Sequence, residues 1–291
     1  MTMTAQRPLS LTALLTLGRV SNLPTVWTNV LTGAVLAGDA WHDSRTGIVL
    51  VAMSLFYVGG MYLNDYFDRG IDARERPERP IPAGDVAADL VAAIGFGLLA
   101  AGLALLATIG LAAAICGLGL AALIVAYDLF HKGNPVAPVM MGACRMLIYL
   151  GAAAATTGSI PEFVVIASLA LLAYIAGLTY AARQESLDRV GNLWPLVALS
   201  APMIVALPGL GRGLLSAAIY FVLIGWTAAA VRLLARRPAP GAVQRAVAAL
   251  IAGVSLVDAA LIASAGASAP ALLALTGFAA TVLLQRYIAG T

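Results

Sequence analysis

The stretch "MYLNDYFDRGIDARERPERPIPAG", residues 61–84, gathers Asp65, Asp68, Asp72, Glu75 and Glu78 with Arg69, Arg74, Arg76 and Arg79. The rest of the chain is nearly free of charge: 11% of its 291 residues are charged, 61% are hydrophobic, and the mean hydropathy is +0.93. A soluble domain has too little interior for that much apolar side chain. Ten apolar windows, residues 20–38, 46–66, 86–108, 111–129, 135–157, 163–182, 193–208, 214–235, 246–264 and 269–288, recur with short polar breaks between them. Each is near the roughly 20 residues that cross about 30 Å of hydrocarbon. None shows the period-two alternation of a membrane barrel, and lipid leaves helices as the other way to satisfy the backbone. The expectation is an all-α, polytopic protein of the lipid bilayer, a single membrane domain over residues 1–291.

Charge sets the orientation. Arg7 and Arg19, the cluster from Arg69 to Arg79, Lys132, Arg183 and Arg189, Arg232, Arg236, Arg237 and Arg245, and Arg286 fall in alternate connections, while the opposite ones hold Arg45 and Arg212. The positive-inside rule makes the first set cytoplasmic, in the cell (inner) membrane. The net charge of +3 is therefore read as topology, with no nucleic-acid partner. The N-terminal twenty residues read as an amphipathic lead-in to the first span rather than a cleaved leader. Cys116 and Cys144 lie inside apolar windows as small hydrophobes. The seventh window is short and holds Pro195, Pro202 and Pro208, which interrupt a regular helix.

Within the opening stretch, Asn64, Asp65, Asp68 and Asp72 have the spacing N-D-x2-D-x3-D. At 100° per residue their side chains fall within an arc of about 100° on one helix face, so they are expected to converge. Carboxylates that close repel unless a cation sits among them, and hard oxygen donors with an amide carbonyl suit Mg²⁺. A solvated helix end, neutralised by its own arginines, is the bland alternative. Against it, Asn64 and Asp65 belong to the apolar window, where an acid costs about 2.5–3.5 kcal/mol if deep.

Weaker polar groups follow at other ends on the same side: Tyr127, Asp128 and Lys132 after the fourth window, and Arg183, Glu185, Asp188 and Arg189 after the sixth. Together they outline a cavity ringed by acids and cations, as a diphosphate with a bridging metal requires. Arg145 stands alone among apolar residues and is expected to face that cavity and touch the substrate anion. Asp258, equally isolated, is expected to make a helix-packing hydrogen bond. Arg19, Asn22 and Asn29 on the first helix are candidates for choosing the acceptor.

These residues resemble the UbiA superfamily of intramembrane prenyltransferases over most of the chain: N-D-x2-D-x3-D, the following "RPIPAG" (79–84), the Tyr127 and Lys132 pair, and a polar segment after the sixth window. The resemblance implies a bundle of nine to ten transmembrane helices around a central cavity, in which Mg²⁺ and the diphosphate of an isoprenyl donor sit between two acid-rich helix ends. The prenyl tail would then lie in a lipid-facing tunnel. By the same likeness Asn64, Asp65 and Asp68 bind metal and diphosphate with support from Asp72, while Arg79, Tyr127 and Lys132 contact the anion. In the second motif, here "RQESLDRVGN" (183–192), Glu185 and Asp188 are the nearest carboxylates; Asp188 joins the metal set and Arg183 contributes positive charge. The implied reaction moves the isoprenyl group to a lipophilic, aromatic acceptor and releases diphosphate.

Two rival readings meet the same residues less well. A transporter or lipid-binding scaffold is favoured by the eroded second motif, but one proline-broken window falls short of paired broken helices. A CDP-alcohol phosphotransferase fails on spacing, because Arg69 occupies the glycine position of D-x2-D-G and the acids after Gly84 are misplaced.

Overall fold

A computed structural model describes residues 11–38, 40–184, 191–236, 239–288 and 290. Its helices are α1 (Leu11–Leu17), α2 (Leu23–Gly38), α3 (Ser44–Glu75), α4 (Ala88–Ile109), α5 (Leu111–Phe130), α6 (Ala137–Thr157), α7 (Glu162–Ala182), α8 (Ala201–Ala206), α9 (Leu214–Arg236), α10 (Ala242–Ser264) and α11 (Ser268–Leu284), with no strand among the described residues. A helical segment stands at each of the ten apolar windows. Eight are long and apolar enough to cross a membrane, and α2 and α11, with 16 and 17 residues, are the shorter first and last.

The seventh window departs from a regular helix for the reason its prolines give. It runs as a 3₁₀ segment Trp194–Ser200, then α8, then a 3₁₀ segment Leu207–Arg212, and each piece has a proline in its first two positions. A missing N–H is harmless at a helix start and disruptive inside one, so each proline restarts the helix. The longer rise per residue of the tighter-wound 3₁₀ helix stretches these 19 residues to roughly 35 Å, enough to span.

Sequence windows also misplace the end of α3. With 32 residues it is about 48 Å long, so it overshoots the hydrocarbon and carries the acidic stripe as helix, where a loop beginning at Arg69 was expected. It ends where Pro77 restricts the preceding residue: Arg76 leaves helical geometry with φ −143° while its N–H still donates to the Asp72 carbonyl at 2.8 Å. The chain then folds back in turns, with the Ala83 N–H on the Arg79 carbonyl and the Asp85 N–H on that of Pro80, both at 2.9 Å.

Position in the bundle follows from composition. Helix α10 is apolar on all sides and almost wholly buried, packed among α2, α7, α9 and α11. Helices α4 and α5 pack on α3 and turn Phe96, Leu111, Ile115 and Leu118 outward, as a lipid-facing layer does. At the other end, α1 is tied to α3 by the Tyr62 hydroxyl, which donates to the Leu14 carbonyl at 3.0 Å.

Helices without a hydrophobic drive between them gain by close approach at small residues. At Gly33 of α2, a Cβ would come within 2.5 Å of the Tyr149 carbonyl oxygen and 2.8 Å of the Ala152 Cβ on α6. At Gly97 of α4 it would meet nothing within 4 Å. Gly33→Leu is therefore expected to destabilise the protein by about 1–3 kcal/mol through overpacking, whereas Gly97→Ala should match or slightly exceed wild type. Thermal unfolding midpoints in one detergent check both.

Candidate functional site

The acids of α3 lie on one face and are buried: Asn64, Asp65, Asp68 and Asp72 each keep less than a tenth of their surface exposed. That face meets cations from other segments. Arg19 reaches Asp65 at 3.1 Å and Asn64 at 3.4 Å from the junction between α1 and α2. Its backbone is left-handed (φ 41°), the one such non-glycine residue among those described. Strained backbone of this kind persists when surrounding contacts hold it, here by turning the guanidinium inward. Arg79, in the turns after α3, bridges Asp65 at 3.2 Å and Asp72 at 2.8 Å. Beyond the end of α5, Lys132 lies 3.1 Å and the His131 ring 3.4 Å from Asp68. Arg69 points away, over the Tyr66 ring.

Arg19, Asn64, Asp68, Asp72, Arg79, His131 and Lys132 line a cavity of about 280 Å³, with Asp65 behind them, held by Arg19 and Arg79. Its rim is charged, with Asp68, Asp72, Arg79 and Lys132, and its floor is apolar, with Ile175 and Leu178 of α7 and Val247, Ile251 and Val254 of α10. Tyr127 lines it, stacked on His131 with ring centroids 4.9 Å apart. Arg183 lines it and donates to the Asn134 carbonyl at 2.8 Å. Arg145 of α6 reaches it from within the bundle. Asn22 also lines it, yet its amide is engaged in packing: it donates to the Gly290 carbonyl at 2.8 Å and accepts from Gln285 at 3.1 Å. Glu185 and Asp188 lie outside the described residues.

One expectation is corrected. The α3 acids do not converge on one point: Asp65 and Asp68 face different cations, and among the described residues no three Asp, Glu, His or Cys side chains gather as for a metal ion. A helical stripe aligns side chains, but one face with two to three turns of rise spreads them along the axis. The donors nonetheless fit Mg²⁺ in kind, since that ion takes one or two carboxylates and completes its shell from water and phosphate oxygens. His131 is a site residue that sequence reasoning missed, although it lies four residues after Tyr127 and so shares its face. Asp128 also stands closer to the stripe than expected: buried on α5, it accepts from Asn64 Nδ2 at 3.2 Å.

An all-helical membrane bundle with an acid-and-cation cavity at one end is a narrow class. The model of the UbiA prenyltransferase family matches residues 26–245, and the chain belongs to that family. It is 37% identical over 147 residues to the digeranylgeranylglyceryl phosphate synthase of Natronomonas pharaonis, covering 50% of this chain and 52% of that one. It is 38% identical over 152 residues to the enzyme of that name from Halobacterium salinarum, again 50% and 52%. The chain thus spans about half the length of these curated relatives. A relative of the same name from Methanothrix thermoacetophila is 30% identical over 183 residues, 62% of this chain and 67% of that one. Among solved structures, the fold matches one reported for digeranylgeranylglyceryl phosphate synthase in membranes, with TM-score 0.62, 21% identity, and 89% and 98% of the chains covered. It matches a UbiA homolog from Aeropyrum pernix K1 with TM-score 0.61, 19% identity, and 84% and 96% covered.

Arg79 is the tie between α3 and the turns that follow it. Arg79→Met removes two ion pairs at once, and is expected to raise tryptic cleavage after Arg74 several-fold while the helical circular-dichroism signal stays unchanged. Unaltered cleavage would show that the turns are held by their backbone bonds alone.

Proposed function

We propose that this protein transfers an isoprenyl group from an isoprenyl diphosphate to a lipophilic acceptor, releasing diphosphate, and that the cavity beside α3 is the site. The observation that carries the reading is a cavity with a charged rim of paired acids and cations over an apolar floor. The rim suits a diphosphate and the floor a hydrocarbon chain.

Asn64, Asp65 and Asp68, with Asp72 in support, would hold Mg²⁺ together with diphosphate oxygens, and Asp188 belongs to the same set by sequence. Bound there, the ion would supply positive charge to the diphosphate as its bond to carbon breaks. Arg79, Lys132, Arg183 and Tyr127 contribute donors to the same leaving group. Lys132 is free to do so: half of its side chain is exposed, against 8% for the Asp68 side chain it contacts. As the allylic C–O bond breaks, its electron pair leaves with diphosphate; the acceptor forms the new bond to that carbon and gives up a proton. Preorganised charge at the place where charge develops is the main source of acceleration, and the apolar floor excludes the water that would capture the allylic cation.

An aromatic acceptor is the expectation from sequence, whereas the relatives are named for a glyceryl phosphate product. The rim lies on the end rich in Arg and Lys, so we place its opening on the cytoplasmic side of the cell membrane.

The test supplies purified protein with geranyl, farnesyl or geranylgeranyl diphosphate and Mg²⁺. Either geranylgeranylglyceryl phosphate or 4-hydroxybenzoate serves as acceptor, and diphosphate and prenylated product are followed. Product with one acceptor class and loss with a chelator are expected, and Asp65→Asn and Asp68→Asn should each lower turnover at least about a hundredfold. Turnover that survives both substitutions would refute the site. Donor binding without diphosphate release for any acceptor would favour a carrier.

A further inference from the structure

Three helices meet at Asp258, and their hydrogen bonds end on an intramembrane cation. Asp258 of α10 is fully buried. It accepts from Thr28 Oγ1 at 2.5 Å, from Asn29 Nδ2 at 2.8 and 3.1 Å, and from the Tyr149 hydroxyl. The other end of the Asn29 amide faces Arg145, whose Nη1 donates to Asn29 Oδ1 at 2.9 Å. The guanidinium carbon lies 5.6 Å from the Tyr57 ring centroid. Among the described residues no carboxylate stands within ion-pair distance of Arg145, because the neutral amide separates it from Asp258.

A guanidinium in the apolar layer is stable when an anion meets it. The family's acid stripe does not do this, since Asp65, Asp68 and Asp72 are taken by Arg19, Arg79, His131 and Lys132. Depth separates the two levels as well. Tyr57, over which Arg145 rests, is about two turns, roughly 10 Å, below Asn64 along α3. A diphosphate seated between Arg79 and Lys132 would lie at the level of the acid stripe, whereas Arg145 rests at that of Tyr57. Yet Arg145 lines the same cavity, and it also borders a smaller chamber of about 80 Å³ that continues from it between α3, α5 and α6.

We infer that Arg145 is the seat of an anionic group on the acceptor, a phosphate or carboxylate, and that Asn29 and Asp258 are the positioning residues that hold its guanidinium for that anion. The inference rests on the transfer reaction proposed above. Asp258 fixes the Asn29 amide with its NH₂ toward the carboxylate and its carbonyl toward Arg145. One N–H of Arg145 is thereby committed and the cavity-facing donors are aimed. An anion there would also neutralise Arg145 before an allylic positive charge develops nearby, which an unpaired cation opposes.

The test measures binding, so it does not depend on turnover. Wild type, Arg145→Gln, Asn29→Ala and Asp258→Asn are titrated in detergent with geranylgeranylglyceryl phosphate and its uncharged counterpart geranylgeranylglycerol, and with 4-hydroxybenzoate and phenol. Geranylgeranyl thiodiphosphate with Mg²⁺ reports the donor site. Wild type should prefer the anion of one pair by at least about tenfold, and which pair shows it identifies phosphate or carboxylate. Arg145→Gln should abolish the preference with the neutral partner unchanged. Asn29→Ala and Asp258→Asn should weaken it, and donor affinity should stay at wild type throughout. If Asp258→Asn does not fold, Arg145→Gln and Asn29→Ala decide, since both leave the Thr28 and Tyr149 bonds in place. Anion preference that survives Arg145→Gln, or a loss of donor affinity in step with it, overturns the inference. A wild type that shows the preference yet never transfers a prenyl group refutes the reaction and not the subsite.

Discussion

Charge carried into a membrane has to be met by charge, and α3 makes that demand on the rest of the bundle. Its buried acids are met by Arg19 from the junction between α1 and α2, Arg79 from the turns after α3, and Lys132 with the His131 ring beyond α5. Removing one partner of such a pair leaves an uncompensated charge in a medium that solvates it poorly, at a cost of about 3–5 kcal/mol for a fully buried pair. The pairs therefore fix where those segments end. They act on the end of the bundle where α3 projects beyond the hydrocarbon, which is also where water-soluble phosphate groups can arrive.

Below that level the constraint changes from pairing to packing. Helices α2, α6 and α7 close on one another over small residues: Gly33 lies against the Tyr149 backbone and Gly142 against that of Leu172. This tightness brings Asn29, Tyr149 and Asp258 into one hydrogen-bonded group, because side chains as short as Asn and Asp can bridge helices only when their axes are near. The same contact that orders the core thus aims Arg145.

How much of this was legible in the sequence depends on how local each signal is. The apolar windows read directly, since lipid tolerates no other backbone, and the stripe from Asn64 to Asp72 read because a helix repeats every 3.6 residues. The far end of α3 did not, because hydropathy falls at Asp65 while helical geometry continues to Glu75. Which cation meets which acid was invisible for a different reason. Arg19 and Asp65, or Asn29, Arg145 and Asp258, lie on separate helices, and one chain without its packing carries no record of which faces meet. His131 is the intermediate case, marked by its spacing from Tyr127 and passed over for the neighbouring lysine. The segment holding Glu185 and Asp188 falls outside the described residues, so the expected second carboxylate pair has no geometry to set beside the first.

The acid–cation pairs also bear on how a site of this kind stays balanced. Asp65, Asp68 and Asp72 with Arg19, Arg79 and Lys132 are three acids against three cations that balance one another, while Arg145 and Arg183 add positive charge to the same cavity. A diphosphate arriving alone would add several negative charges to a low-dielectric pocket, and a divalent ion alone would meet carboxylates already engaged. Arriving together they nearly cancel, and the pairs can re-form with new partners: carboxylates toward the metal, Arg and Lys toward phosphate. The half-exposed Lys132 and the turn-borne Arg79 are the cations able to make that exchange, while Arg19 is fixed by its backbone and by Asn64. On the proposed reading, balanced pairing before binding and after it would let one membrane-embedded site hold a highly charged group without unfolding around it.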